Sequence, residues 1–190
     1  MDTKVSLLIV DNDPSIRYSL CQIFRAMGHS VRTAEDGFYA LQEMGLAIPD
    51  ILLSDLNMPR MSGFELLSVV RRRFPSVYVI GMTGAHAEGL PSGLAADAFY
   101  KKATGLVALF QLVKTGSEID SLSIWASRKS TPIWVSPAGN SSRDRKEVFI
   151  GCPECLRAFP LPAEMSGELQ EISCAHCRTS INYAVVEQVA

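Results

Sequence analysis

Short, nearly unbroken apolar runs alternate with stretches in which apolar residues return every three or four positions. The runs are VSLLIV at 5–10, DILLSD at 50–55 and VYVIGMTG at 77–84, with the shorter SVRTA at 30–34 and AFYK at 98–101. Continuous apolar runs of this length suit parallel strands covered on both faces. Between them, Ile16, Leu20, Ile23, Phe24 and Met27 fall at helical spacing, as do Phe38, Leu41 and Met44. FELLSVVRRRF at 64–74, stopped before Pro75, and GLVALFQLVKTG at 105–116, bounded by Gly116, complete the helical set. Asp13 followed by Pro14 supplies an N-cap acceptor and a preset φ at the first helical position, and Gly28 ends that helix. The alternation, five times repeated, predicts an α/β domain over 1–116: a five-stranded parallel sheet with helices on both faces. One helix is expected to be short, irregular or absent. The segment GAHAEGLPSGLAA at 84–96 carries Gly89, Pro91 and Gly93, and in a helix interior glycine costs about 1 kcal/mol and proline about 3.

The pattern changes at residue 117. The stretch 117–147 is rich in Ser, Pro and charge and reads as a linker. It holds apolar clusters, Ile119, Leu122, Ile124 and Trp125, then Ile133, Trp134 and Val135, that predict docking on a domain or a partner. A third unit is expected over 148–190. It contains Cys152-Pro153-Glu154-Cys155 and Cys174-Ala175-His176-Cys177, two Cys-x-x-Cys pairs with 18 residues between them. Two such pairs make a tetrahedral Zn²⁺ site of structural type, closed by four thiolates. His176 lies between two ligands and could replace one. Cys21 is expected at a buried position on the first helix.

Composition narrows the function classes. A net charge of −2 over 190 residues gives no global attraction to nucleic acid or to an anionic membrane. No apolar run approaches the roughly 20 residues that span a bilayer. The N-terminal MDTKVSLLIVDND lacks the pattern of a signal peptide, so the expected location is cytoplasmic. From Val148 onward the acids are Glu154, Glu164, Glu168, Glu171 and Glu187 and the bases Arg157 and Arg178, a balance of 2 − 5 = −3. A nucleic-acid face should be basic. Arg143, Arg145 and Lys146 read as solvated linker, and Arg71, Arg72 and Arg73 as a solvated helix end that suits the C-terminal dipole.

In an open parallel sheet, function gathers at the carboxyl ends of the strands. Those ends here are Asp11, Asp55, Thr83 and Lys102, with Asn12 beside Asp11. Two carboxylates and an asparagine offer oxygen ligands to Mg²⁺, and a hydroxyl and a lysine opposite them can hold an anion. A pocket with both is suited to phosphoryl transfer, with Asp55 as the nucleophile. Asp13 is explained by its N-cap role.

LIVDND, LLSDLNMPRMSGFELL, VIGMTG and ADAFYKK together resemble the receiver domain of two-component response regulators, across about residues 4–116. The resemblance implies a flavodoxin-like fold and phosphorylation of Asp55 by a histidine kinase or phosphotransfer protein. It implies an Mg²⁺ site at Asp11, Asn12, Asp55 and the backbone carbonyl of Asn57. Thr83 and Lys102 match the groups that contact the phosphoryl oxygens, and Phe99 the aromatic that changes rotamer on activation. Asn12 stands where the family usually has an acid, and Ala103 where it usually has proline. The stretch from 148 to 185 resembles a small bacterial zinc-ribbon class, with Phe159 and Leu161-Pro162 in its middle pattern and Arg178 where glycine is usual.

The expected function is therefore a cytoplasmic response regulator, a phosphoryl acceptor rather than an enzyme in the ordinary sense. Its zinc ribbon and linker, with Trp125 and Trp134, are expected to bind a protein partner. The alternatives are a DNA-binding transcription regulator and a scaffold that signals without phosphate.

Overall fold

The computed structural model describes residues 4–84, 95–119, 132–135, 149–161 and 169–185. The first region is a five-stranded sheet, β1 (Ser6–Val10), β2 (Ser30–Ala34), β3 (Ile51–Asp55), β4 (Tyr78–Thr83) and β5 (Ala98–Lys101), in the order β2-β1-β3-β4-β5. Every neighbouring pair is parallel. Side chains of a strand alternate between faces, so one apolar run serves two cores. Leu7, Ile9, Leu53 and Ile80 pack with Leu20 and Phe24 of α1 (Pro14–Ala26) and Leu109 and Val113 of α4 (Leu106–Glu118). Leu8, Val10, Leu52 and Val79 pack on the other face with Leu41 and Met44 of α2 (Gly37–Leu46) and Leu66, Leu67 and Val70 of α3 (Gly63–Arg73).

Helix ends follow local chemistry. The Asp13 carboxylate accepts from the Ser15 N–H at 2.8 Å, and Gly28 takes φ +91° just past the end of α1. Gly116 does not stop the last helix, which runs on to Glu118. Its role is close approach: a Cβ there would lie 2.4 Å from the Tyr78 ring. The irregular helix expected near Gly89, Pro91 and Gly93 falls outside the described residues.

The described residues of the second region form strands and turns only. β7 (Phe149–Gly151) and β8 (Ala158–Pro160) pair antiparallel, and β6 (Ile133–Val135), β10 (Ser180–Val185) and β9 (Gln170–Ser173) form a sheet in the order β6-β10-β9. β6 comes from the stretch read as linker, yet it is a strand of this sheet, paired parallel with β10. Ile133 and Val135 are fully buried, which explains why that stretch is too apolar for a tether. The other cluster, at 119–125, lies outside the described residues apart from Ile119.

The β module sits on α3. Ile133, Val135, Ile150, Phe159, Ile181 and Tyr183 belong to one continuous core with Leu66, Leu67 and Val70. Every residue from Gly63 to Arg71 is buried, although an amphipathic helix on a sheet should keep one face in water. Polar contacts run along the whole helix. The Gly151 N–H donates to Glu65 Oε1, the Trp134 backbone N–H to Ser68 Oγ at 3.0 Å, and Arg73 to the carbonyls of Pro153 at 3.3 Å and Glu154 at 2.7 Å.

One expectation is corrected here. The arginines at 71–73 are not simply a solvated end: Arg71 is buried against Asp97 at 2.7 Å, the half-buried Arg72 pairs with Glu154 at 3.4 Å, and Arg73, though exposed, donates to the module's carbonyls. Trp134 is half-buried and packs against the core shared with α3. Among the described residues no helix is long and apolar enough to cross a membrane.

Candidate functional site

Asp11 follows β1 and Asp55 ends its parallel neighbour β3, the central strand, so both arrive at the same edge. Both are buried, Asp11 completely and Asp55 to 6% exposure. Lys102, the first residue of a short 3₁₀ turn after β5, reaches back and donates from Nζ to Asp11 Oδ2 at 2.8 Å and lies 2.9 Å from Asp55 Oδ2. Three of the four strand-end residues read from the sequence thus meet through their charged atoms. Asp11 Oδ1 accepts the Asp13 N–H at 2.8 Å, and Arg17 donates to the Asp11 carbonyl at 2.5 Å. Asp55 Oδ1 accepts the Asn57 N–H at 3.3 Å.

Burial pushes the Asp55 carboxyl above its ordinary pKa; the Lys102 hydrogen bond and charge pull it back, and the Asp11 charge adds to the rise. For Lys102, burial works to lower the pKa, but its hydrogen bonds and charge attraction to Asp11 and Asp55 leave it raised. The raised pKa keeps Lys102 in its ammonium form. Two carboxylates beside one ammonium offer oxygen atoms of the kind that suits a hard cation. Asn12 and Asn57 are solvent-exposed at the rim of this pocket. Thr83 is buried at the end of β4, one residue beyond the Asp55–Met82 register pair, and its hydroxyl lies 3.4 Å from the Gly84 carbonyl. Phe99 is 39% exposed on β5 opposite Gly81, where a Cβ would come within 2.9 Å of its ring.

Residues 7–108 match the family model described as the response regulator receiver domain. The chain belongs to that family. Similar stretches occur in the sensor protein EvgS of Escherichia coli K12, 37% identical over 48% of this chain and 8% of that protein. They occur also in the DNA-binding transcriptional regulator NtrC of the same organism, 40% identical over 42% of this chain and 17% of that one. The chain thus spans less than a fifth of these relatives. Among solved structures, the response regulator TrrA of Thermotoga maritima, in complex with Mg²⁺ and BeF, is 30% identical over 60% of this chain and 99% of its own, with TM-score 0.55. CheY4 of Vibrio cholerae is 26% identical over 60% and 99%, with TM-score 0.54.

Two residues that support the receiver site were not singled out in the sequence. Arg60, in left-handed backbone at φ 66°, ties the β3–α3 loop to the start of α2 through the buried carboxylate of Asp36 and through Glu35 at 2.8 Å. Asp97 anchors the start of β5, accepting from the Val79 N–H at 2.8 Å and from Arg71. A polar pair that is close only across the sheet leaves no periodic signal in sequence.

The receiver is followed by a second ligand set. Cys152, Cys155, Cys174 and Cys177 bring their Sγ atoms within 4.8 Å of one another. Cys152 to Cys177 is 3.6 Å and Cys155 to Cys174 is 3.7 Å. A ZnS₄ tetrahedron with bonds of about 2.3 Å has edges of about 3.8 Å, so the four thiols fit zinc. Each pair sits on the same turn. The Leu156 N–H returns to the Cys152 carbonyl at 2.9 Å, and the Arg178 N–H to the Cys174 carbonyl at 3.0 Å. Both turns need left-handed backbone at the equivalent position, Leu156 at φ 58° and Arg178 at φ 66°. Burial pushes the Cys152 thiol up to about 12, whereas the Thr179 hydroxyl holds Cys177 down at about 6. His176 turns away from the cluster: its Nε2 lies 3.2 Å from the Ala158 carbonyl and its ring stands edge-on to Phe159.

Proposed function

We propose that the chain is a cytoplasmic response regulator whose Asp55 accepts a phosphoryl group from a histidine kinase or phosphotransfer protein. The observation that carries the reading is the Asp11–Lys102–Asp55 bridge, which fixes a buried carboxylate against a cation at the carboxyl edge of the sheet. Asp11, Asp55, the Asn57 carbonyl and Asn12 would hold Mg²⁺. When bound, Mg²⁺ supplies positive charge to the phosphoryl oxygens and to the carboxylates that approach them. An Asp55 oxygen attacks phosphorus in line, the P–N bond to the donor imidazole breaks, and its electron pair leaves on nitrogen. Lys102 shifts from the carboxylates toward the new phosphoryl oxygens, and the Thr83 hydroxyl donates to them. The chain is then a phosphoryl acceptor that hydrolyses its own acyl phosphate, not a catalyst for a separate substrate.

Asn12 keeps an oxygen ligand where the family usually has an acid and gives up one unit of charge. At 4 Å and an effective dielectric near 20 that charge is worth roughly 4 kcal/mol, much of it cancelled by desolvation. Weaker Mg²⁺ binding follows, not its loss. The four thiols hold a structural Zn²⁺. The output is a protein interaction made by the receiver and its docked β module. Arg72 and Arg73 bond to the module instead of standing free at the end of α3, which supports a protein interaction over DNA binding through that helix.

The test is labelling by acetyl phosphate in Mg²⁺, with the modified residue located by peptide mapping. Label on Asp55 that disappears in Asp55→Asn is the expected result. No label at any Mg²⁺ concentration would leave a scaffold that works without phosphate.

A further inference from the structure

The loop that leaves Asp55 ends against the zinc module. Gly63, the first residue of α3, donates its N–H to the Leu56 carbonyl at 3.0 Å. A Cβ on Gly63 would lie 1.9 Å from the Asp55 carbonyl oxygen, so α3 begins pressed on the peptide of the phosphoryl acceptor. Within the loop, Met61 is completely buried, and its side chain runs between two glycines on different elements. A Cβ on Gly37 of α2 would meet Met61 Cγ at 2.6 Å, and one on Gly151 of β7 would meet Met61 Cε at 2.9 Å. One turn further along, the buried Glu65 takes the Gly151 N–H on Oε1. Gly151 is bonded directly to Cys152, the most deeply placed thiol of the first knuckle.

From Asp55 to Cys152 the contacts are therefore continuous and close-packed, and close-packed groups move together rather than compress. Asn57, which would lend its carbonyl to Mg²⁺, sits in the same loop. Arg60 pins that loop to Asp36 from the other side. An ion at Asp55 that orders residues 55–62 orders Met61 and Glu65 with them, and so the strand that leads into Cys152. We propose that the two ion sites are positively coupled through Met61 and Glu65: Mg²⁺ with a phosphoryl group at Asp55 tightens zinc at the thiols, and zinc tightens Mg²⁺. This rests on the reading of both sites given above. Linkage requires the two effects to be equal in size.

The experiment uses the full chain loaded with zinc. Zinc affinity is measured by competition with a chromogenic chelator, with and without Mg²⁺ plus beryllofluoride, while fluorine-19 resonance of the same sample reports beryllofluoride on the protein. Zinc affinity is expected to rise about fivefold or more, the lower end of ordinary coupling. Met61→Leu and Glu65→Ala should bring that ratio close to one. Arg73→Ala, which loosens the far end of the dock, should weaken zinc in both states and preserve the ratio. Bound beryllofluoride with zinc affinity unchanged or lowered would overturn the coupling alone, as would a ratio retained in both the Met61 and Glu65 variants. Absence of any bound beryllofluoride would overturn the phosphoryl site and the coupling with it. The ratio in the unaltered chain decides the matter even where a variant does not fold.

Discussion

The receiver site and the thiol site both gather charge from distant parts of the chain, but different things hold them. Asp11, Asp55, Thr83 and Lys102 stand on or just beyond four strands of a sheet whose core fills both faces, and Lys102 already balances part of the buried negative charge. The thiols stand on two turns joined to strands of three to six residues. A sheet of that size buries too little to hold itself together. It completes its core on α3, and the proposed zinc would supply the rest. A site carried on a large sheet is preorganised before its ligand arrives; one carried on turns is finished by the ligand and by a neighbour's surface.

The comparison breaks most visibly under chelation. Structural zinc in small modules contributes apparent binding free energies of about 10–16 kcal/mol. Stripping it should melt β6 to β10 and leave the five-stranded sheet folded, as a partial loss of circular dichroism with the main thermal transition retained. Because Cys152 is pushed up to about 12, zinc must displace its proton, so zinc affinity should fall as pH is lowered. The receiver's weak point is different. Arg71→Ala leaves Asp97 buried without its cation and should cost about 3 kcal/mol or more, read as an earlier urea midpoint. Asn12→Asp restores one acid at the rim of the pocket and should tighten Mg²⁺ about tenfold in a calorimetric titration, a change of roughly 1.4 kcal/mol. The smallest effect belongs to the second knuckle. Arg178→Gly relieves left-handed backbone and should add about 1 kcal/mol or less to the stability of the zinc-loaded module, seen as slower zinc loss.

Much of this was legible in the residues. The apolar runs place the three inner strands β1, β3 and β4, which are covered on both faces, and the shorter SVRTA and AFYK place the partly exposed edge strands β2 and β5. The strand-end residues then converge because the topology sends them to one edge, and the thiol spacing announces its own cluster. What the pattern hid was the dock. FELLSVVRRRF reads as a one-sided helix with a wet basic end, because nothing within it says that a second layer covers its outer face. Ile133-Trp134-Val135 gave a cue, too apolar for a tether, but its partner strand β10 lies some fifty residues on. Arg60 and Asp97 were missed for the same reason: each matters through one contact made across the fold.

The claim on which the rest depends is that the receiver's sheet domain and the thiol-bearing β module form one packed unit across α3. Hydrogen exchange over residues 63–73, with zinc bound and after chelation, tests it most directly. Loss of the module should uncover the outer face of α3 and lower the protection of that helix, while the amides of β1 and β3 stay protected. Unchanged protection of α3 after the module has melted would contradict the claim.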